Sequence, residues 1–127
     1  MKQLILLFSH KLTLAQEMDA REHYGIDEFT TLPKELQRLW SNVPPDIELL
    51  DKYLSPIKAF VDEVGSSGDS VLVQGDFGAT CEMVGWAKSM GMVALYATTK
   101  RNTVEKSIDG KIVKTSVFEH VRFREFR

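Results

Sequence analysis

Apolar positions in this chain fall into short unbroken runs and longer periodic stripes, and the two kinds alternate. Gln3 to Phe8 is a near-continuous apolar run closed by the polar triplet Ser9-His10-Lys11. That is how a strand buried on both faces of a parallel sheet reads. Thr13-Leu14-Ala15-Gln16 then has the spacing of a capping box, so a helix is predicted to start there and to end at Gly25. Ile26 to Leu32 is β-branched and aromatic enough for a second strand, which Pro33 stops. Lys34 to Leu39 predicts a short helix, closed by Trp40-Ser41-Asn42-Val43-Pro44-Pro45.

Ile47, Leu50, Leu54, Ile57, Val61 and Val64 recur at alternating steps of three and four, the stripe of a core-facing helix. Pro56 removes a backbone donor inside that stripe, which predicts a kink, or a break with Ser55 capping a second helix. Beyond the flexible turn Gly65 to Asp69, Val71-Leu72-Val73 reads as another buried strand ending at Gln74-Gly75-Asp76-Phe77-Gly78. Ala79, Met83, Trp86 or Ala87, and Met90 carry helical spacing up to Gly91. Val93 to Tyr96 predicts a further buried strand, ending at Ala97-Thr98-Thr99-Lys100-Arg101. The period then changes, and Val104 to Ile108, Asp109-Gly110 and Lys111 to Val117 read as a tight hairpin before a last strand, Val117 to Phe126.

Strands alternating with helices through Gly91 predict an α/β fold: a Rossmann-like, mainly parallel sheet flanked by helices, with a C-terminal antiparallel hairpin extension. Residues 1–127 form a single domain in this reading, since the length serves one core and not two. Ligands of such sheets bind beyond the carboxyl ends of the strands, where strand order reverses. Three polar clusters fall there: Ser9-His10-Lys11, Gln74 to Thr80, and Thr98 to Arg101.

Composition changes this picture little, and charge changes it more. At 43% hydrophobic and 27% charged residues the chain is ordinary for a globular domain. The net charge of −2 gives no global attraction for nucleic acid. It is unevenly spread, however: Thr98 to Arg127 carries eight basic and four acidic residues, and the preceding part carries eight basic against fourteen acidic. A local basic element on an acidic body attracts an anionic ligand to one face, or is simply a solvated sheet edge. Cys81 is the only cysteine, which excludes an internal disulfide and reads as a small buried hydrophobe on a helix. The run Leu4 to Phe8 is too short for a signal peptide and no stretch is long enough to span a membrane, so the cytoplasm is expected.

Gly75-Asp76-Phe77-Gly78-Ala79-Thr80 joins a strand to a helix with small side chains and free amides at a positive helix end, which makes a phosphate cradle. Glycine at such turns also has purely steric uses. The segment lacks the Gly-Lys-Ser/Thr ending of a P-loop and the spacing of a dinucleotide fingerprint. Thr98-Thr99-Lys100-Arg101 offers two hydroxyls and two cations for phosphate oxygens, or a strand end turning into solvent. His10 is suited to be general base, general acid, phosphate-binding cation or phosphoryl acceptor, with a structural histidine as the alternative. His23 lies in a helix, and His120 lies in the last strand with Arg122 and Arg124 on the same face by period two. The histidines and the cysteine show no metal-ligand spacing.

Taken together, Leu6 to Thr13, Leu39 to Pro45, Val71 to Thr80, Tyr96 to Arg101 and Phe118 to Arg124 resemble the small type III CRISPR-associated family called Csx-twenty, through nearly the whole chain. The resemblance implies a domain similar to the sensor domains that bind cyclic oligoadenylates. It also implies a ring nuclease that cleaves cyclic tetra-adenylate or a related ring and so switches off signalling. Such cleavage proceeds by attack of a ribose 2′-hydroxyl and needs no metal or other cofactor. On that reading Lys100 and Arg101 sit at the phosphate oxygens, and His10 or Asp76 carries the proton. The amides of Gly75, Phe77, Gly78, Ala79 and Thr80 cradle a flanking phosphate, while Ser9, Lys11, Asn42, Gln74, Thr98 and Thr99 complete the ligand site. Trp40 and Phe77 are candidate adenine-stacking surfaces, or core aromatics. A symmetric ring implies a two-fold homodimer, with neither membrane nor DNA as partner. Two other readings use the same residues: a protein that binds the ring without cutting it, as sponge or sensor, and a phosphotransfer subunit with His10 as acceptor.

Overall fold

The structure, a computed structural model, describes residues 2–127. The first apolar run becomes β1 (Gln3–Leu7), and the predicted capping box opens α1 (Leu14–Tyr24). Thr13 Oγ1 accepts the Gln16 amide at 3.2 Å while Gln16 Oε1 accepts the Thr13 amide at 2.9 Å. Gly25 ends this helix in the left-handed region, at φ 66°. There follow β2 (Glu28–Thr31), α2 (Lys34–Ser41), α3 (Ser55–Val64), β3 (Ser70–Val73), α4 (Phe77–Ser89), β4 (Val93–Ile108) and β5 (Lys111–Glu125).

The five strands make one sheet in the order β2-β1-β3-β4-β5, parallel except for β5, which runs antiparallel to β4. Every residue of β3 is buried, as a central strand covered on both faces requires. On one face Leu4, Leu6, Leu72 and Leu95 pack with Ala20 of α1 and with Phe123. On the other, Ile5, Leu7, Val71 and Val73 pack with Trp40, Ile57, Val61 and Met83 from α2, α3 and α4. No helix among the described residues is long and apolar enough to cross a membrane.

Four expectations need correction. The helix predicted from Ile47 begins only at Ser55, so Pro56 lies in its first turn, where a missing N–H breaks no helical bond. Pro56 therefore produces no kink, and Leu54 rather than Ser55 stands at the N-cap, without a side-chain bond. Second, β4 does not stop at Ala97 to Arg101 but runs on to Ile108, because pairing with β5 carries it past the parallel sheet. The Asp109-Gly110 turn closes this long hairpin with φ 50° and 74°, the positive pair that a tight two-residue turn demands.

Third, Cys81 is exposed. The buried positions of α4 are Ala79, Met83 and Ala87, and a residue two positions from Ala79 points to the opposite side of a helix. Fourth, a β-bulge breaks the period-two alternation of β5: Thr98 pairs with Arg122 but Thr99 pairs with His120. His120 consequently shares a face with Phe123, with ring centroids 4.8 Å apart, and not with Arg122 and Arg124.

Candidate functional site

From β1 the chain passes to β2 on one side, whereas β3 lies on the other side of β1. The carboxyl ends of β1 and β3 thus flank the point where the order reverses, the place at which an open sheet leaves a crevice. Gln74 fastens three strand ends at that crevice. Its amide donates to Leu7 O at 3.0 Å, and its Oε1 accepts the Ala97 amide at 2.6 Å.

Ser9, His10 and Lys11 follow β1 and are exposed. Gln37 of α2 donates to Phe8 O at 2.7 Å, and the hydroxyls of Ser9 and Ser41 are 2.9 Å apart, so α2 holds the start of this loop. The His10 ring meets Phe8 edge-on at 5.4 Å. A cavity of about 500 Å³ opens on the β2 side of β1, lined by Ser9, His10, Lys11, Phe29, Thr31 and Gln37 among others and by no residue of Gln74 to Thr80.

On the other side of β1, the turn after β3 delivers the N-terminus of α4. Asp76 is the N-cap, its Oδ2 accepting the Ala79 amide at 3.0 Å, and the Thr80 amide reaches Asp76 O at 2.8 Å. Those bonds leave the Phe77 and Gly78 amides as first-turn donors that the helix itself does not use. The capping carboxylate also places negative charge beside them, in opposition to an incoming phosphate. Phe77 is 95% exposed. Trp40 is 1% exposed and donates its Nε1–H to Gln74 O at 3.0 Å, so it is a core aromatic and cannot stack on a ligand. A Cβ at Gly75 would lie 2.9 Å from three atoms of the Trp40 ring, which accounts for the glycine sterically. Ala79 is fully buried, and the Thr80 hydroxyl is buried without a hydrogen-bond partner. Asn42 is exposed and donates to Arg38 O at 2.8 Å, closing the end of α2.

The third cluster is split. Thr98 Oγ1 bridges to Arg122 at the bulge, donating to its carbonyl at 2.9 Å and accepting its amide at 3.2 Å. Thr99, Lys100 and Arg101 continue along β4 beyond the parallel sheet. As strand neighbours, Lys100 and Arg101 stand on opposite faces, and Arg101 Nε donates to Ser116 Oγ at 3.0 Å. They do not form the adjoining pair of cations that a strand end would have offered.

One cluster was not legible in the sequence. Asp19 of α1 bonds His23 Nδ1 at 2.6 Å and His120 Nε2 at 2.7 Å, and the His120 side chain is only 5% exposed. Burial pushes the Asp19 carboxyl up, but the hydrogen bonds and charge of the two imidazoles outweigh it and hold the group below its ordinary value. Together with the bond from Tyr24 Oη to Phe123 O, this ties α1 to the root of the β4–β5 hairpin. The four-residue spacing of Asp19 and His23 was a visible signal; the third member, 101 residues away, carried none. Among the described residues no group of three or more His, Cys, Asp or Glu side chains gathers as a metal site. A shallow groove of about 700 Å³ lies along the β5 edge, lined by Tyr24, Tyr96, Arg122, Arg124, Phe126 and Arg127 among others, and contains none of the candidate residues.

A family model described as the Uncharacterized protein MJ1673 family matches residues 2–124. A protein of Methanocaldococcus jannaschii bearing the description Uncharacterized protein MJ1673 is 50% identical over 126 residues, spanning 99% of this chain and 98% of the relative. No solved structure matches the chain.

Proposed function

This chain belongs to the MJ1673 family, and from its site we propose that it is a Rossmann-like ring nuclease that binds cyclic oligoadenylate at the carboxyl edge of its sheet and opens it without a metal. The observation that carries the reading is the crevice between β1 and β3. The exposed His10 and Lys11 follow β1, and the helix end with the Phe77 and Gly78 amides and a fully exposed phenyl ring follows β3, so both stand at the carboxyl ends of neighbouring strands. Amides and cations meet phosphate oxygens, and an exposed aromatic ring gives a base a face to stack on.

In the reaction a ribose 2′-oxygen attacks the adjacent phosphorus, the 5′-oxygen leaves, and one proton passes from the first oxygen to the second. The protein contributes in-line geometry, a proton carrier and charge stabilisation on the phosphorane. His10 fits the carrier role best, because Asp76 is engaged at the Ala79 amide. A ring of repeating units calls for a second copy of each contact, hence a homodimer, and the setting of such a signal is the cytoplasm.

A second reading has its own support. Asp76 is engaged as a cap and Lys100 and Arg101 stand on opposite faces, which supports a protein that holds the ring without cutting it. Equilibrium binding of labelled cyclic tetra-adenylate, with linear tetra-adenylate as comparison, tests what both readings share. Saturable micromolar binding that prefers the ring is expected; absence of binding by every ring size would reject both.

A further inference from the structure

The groove along the β5 edge shares no lining residue with the candidate site at the carboxyl ends of β1 and β3. Strand alternation builds its main wall. Arg124 pairs with Tyr96 and Arg122 pairs with Thr98 across to β4, so both guanidiniums leave the sheet on the face that carries Tyr96. Phe126 extends the same face: its amide donates to Ala94 O at 2.8 Å, and its ring centroid lies 4.8 Å from that of Tyr96. Arg127 follows, and all three arginines are exposed while the two rings are half-buried. No carboxylate among the described residues pairs with any of the three guanidiniums. Glu125, the acid in the lining, belongs to the opposite face by the same alternation, with Phe123. The edge itself is closed to another strand at this point, because the Phe123 carbonyl accepts Tyr24 Oη and, at 3.3 Å, Arg122 Nε. An added strand would have to displace both donors, so side-chain chemistry decides what the groove holds.

We propose that this groove binds single-stranded nucleic acid, with phosphates on Arg122, Arg124 and Arg127 and a base against the Tyr96 and Phe126 rings. Guanidiniums take phosphate oxygens in pairs, and aromatic and guanidinium planes on a strand face take unstacked bases. Alternate residues of a strand stand roughly 7 Å apart, so Arg122 and Arg124 match the step between neighbouring phosphates of an extended chain. A duplex would give the arginines its phosphates but keep its bases stacked away from the rings. An acidic peptide would satisfy the arginines and leave the rings without a use. Long-range charge favours the same ligand. The segment from Thr98 to Arg127 carries eight basic and four acidic residues on a body with fourteen acidic and eight basic ones, so a polyanion is drawn to this element and repelled elsewhere. The proposal uses neither His10 nor the start of α4, and stands whether or not the chain opens a cyclic nucleotide.

The test is fluorescence anisotropy with labelled oligouridylate, oligothymidylate, a mixed-sequence duplex and polyglutamate, pyrimidine strands being chosen to avoid the adenylate site. A single strand should bind saturably and about ten-fold or more tighter than the duplex, and the two homopolymers tell RNA from DNA. With about 0.7 per phosphate neutralised by three arginines, the logarithmic salt dependence should have a slope of about −2. Arg122→Gln/Arg124→Gln should lower affinity about ten-fold or more and bring the slope to roughly −0.7. Lys52→Gln/Lys88→Gln, which removes the same charge from exposed positions elsewhere, should leave both near wild type. Should the arginine variant lose its far-ultraviolet dichroism, photocross-linking of a thiouridine-substituted strand to wild type decides, and the linked peptides should contain Tyr96 or Phe126. Four outcomes would each overturn the proposal: no binding of either homopolymer; duplex or polyglutamate bound as tightly as a strand; affinity unchanged in folded Arg122→Gln/Arg124→Gln; or cross-links confined to the crevice or to the two-stranded ribbon of β4 and β5 beyond Thr99.

Discussion

Replacing Gly75 with alanine separates two explanations of the same residue. If this glycine exists only to let an anion approach the backbone, Gly75→Ala should lower ligand affinity and leave stability untouched. The structure assigns it a steric role as well: the added methyl would sit 2.9 Å from Cε2, Cζ2 and Nε1 of Trp40, a ring with 1% exposure and little room to yield. Overpacking of that kind costs about 1–3 kcal/mol. A shift of the indole also strains its 3.0 Å bond to Gln74 O, which contributes about 1 kcal/mol. The expected loss is about 2–3 kcal/mol, which for a domain of this size lowers the melting temperature by about 8–15 °C. Denaturant and thermal melts at one fixed protein concentration measure it. A double-mutant cycle makes the test specific. In a Trp40→Leu background the indole is gone, and adding Gly75→Ala should cost less than about 1 kcal/mol. A Gly75→Ala protein that melts with wild type, or a penalty unchanged by Trp40→Leu, would refute the steric argument.

Other outcomes follow from single contacts. Asp19 is held below the ordinary carboxyl value of 3.8, so its stabilising effect is present above about pH 4 and drains as pH falls through the folded value. Asp19→Asn should therefore be less stable than wild type at neutral pH, and the two melting curves should converge in acid. Phe77→Ala should leave stability within about 0.5 kcal/mol, since the ring touches little. Its ring affinity, read by equilibrium titration, should fall by the ~1–3 kcal/mol of one stacked base. Asp76→Ala should lose the cap bond to Ala79 and about 1 kcal/mol of stability, whereas Asp76→Asn keeps an acceptor there and most of that stability, as urea melts would show.

Where local chemistry decides the backbone, the sequence was a good guide. The Thr13 capping box, the Gly25 cap, the fully buried β3 and the Asp109-Gly110 turn all form where residue type and spacing placed them. Two of the three polar clusters, after β1 and after β3, do follow the carboxyl ends of neighbouring strands, which the Gln74 amide joins through Leu7 O. Misreadings arose where a distant partner overrides the local signal. Pairing with β5 turns Lys100 and Arg101 from a strand end into ribbon positions on opposite faces. A bulge of one residue rotates His120 away from Arg122 and onto Asp19, and no pattern of period two can foresee it. Trp40 and Phe77 were both open to a stacking or a core role, and packing separates them, the first under Gly75 and the second into solvent. The short run of helical spacing before Ser55 failed for lack of length, since Ile47 and Leu50 lie upstream of the Pro56 helix start.

The central claim is that the crevice between β1 and β3 both holds and opens a cyclic oligoadenylate, and a single-turnover time course tests it most directly. Purified protein in excess over labelled cyclic tri-, tetra- and hexa-adenylate, in the presence of chelator, is sampled and the products are separated. At least one ring should convert to linear product without added metal. His10→Ala, shown to be folded, should slow that conversion about 10²-fold or more while its dissociation constant stays near wild type, as a proton carrier acting only in the transition state requires. Rings that remain intact while saturably bound would leave a binding protein in place of a nuclease. Cleavage that appears only on addition of a divalent ion, or proceeds at the wild-type rate in His10→Ala, would contradict the mechanism itself.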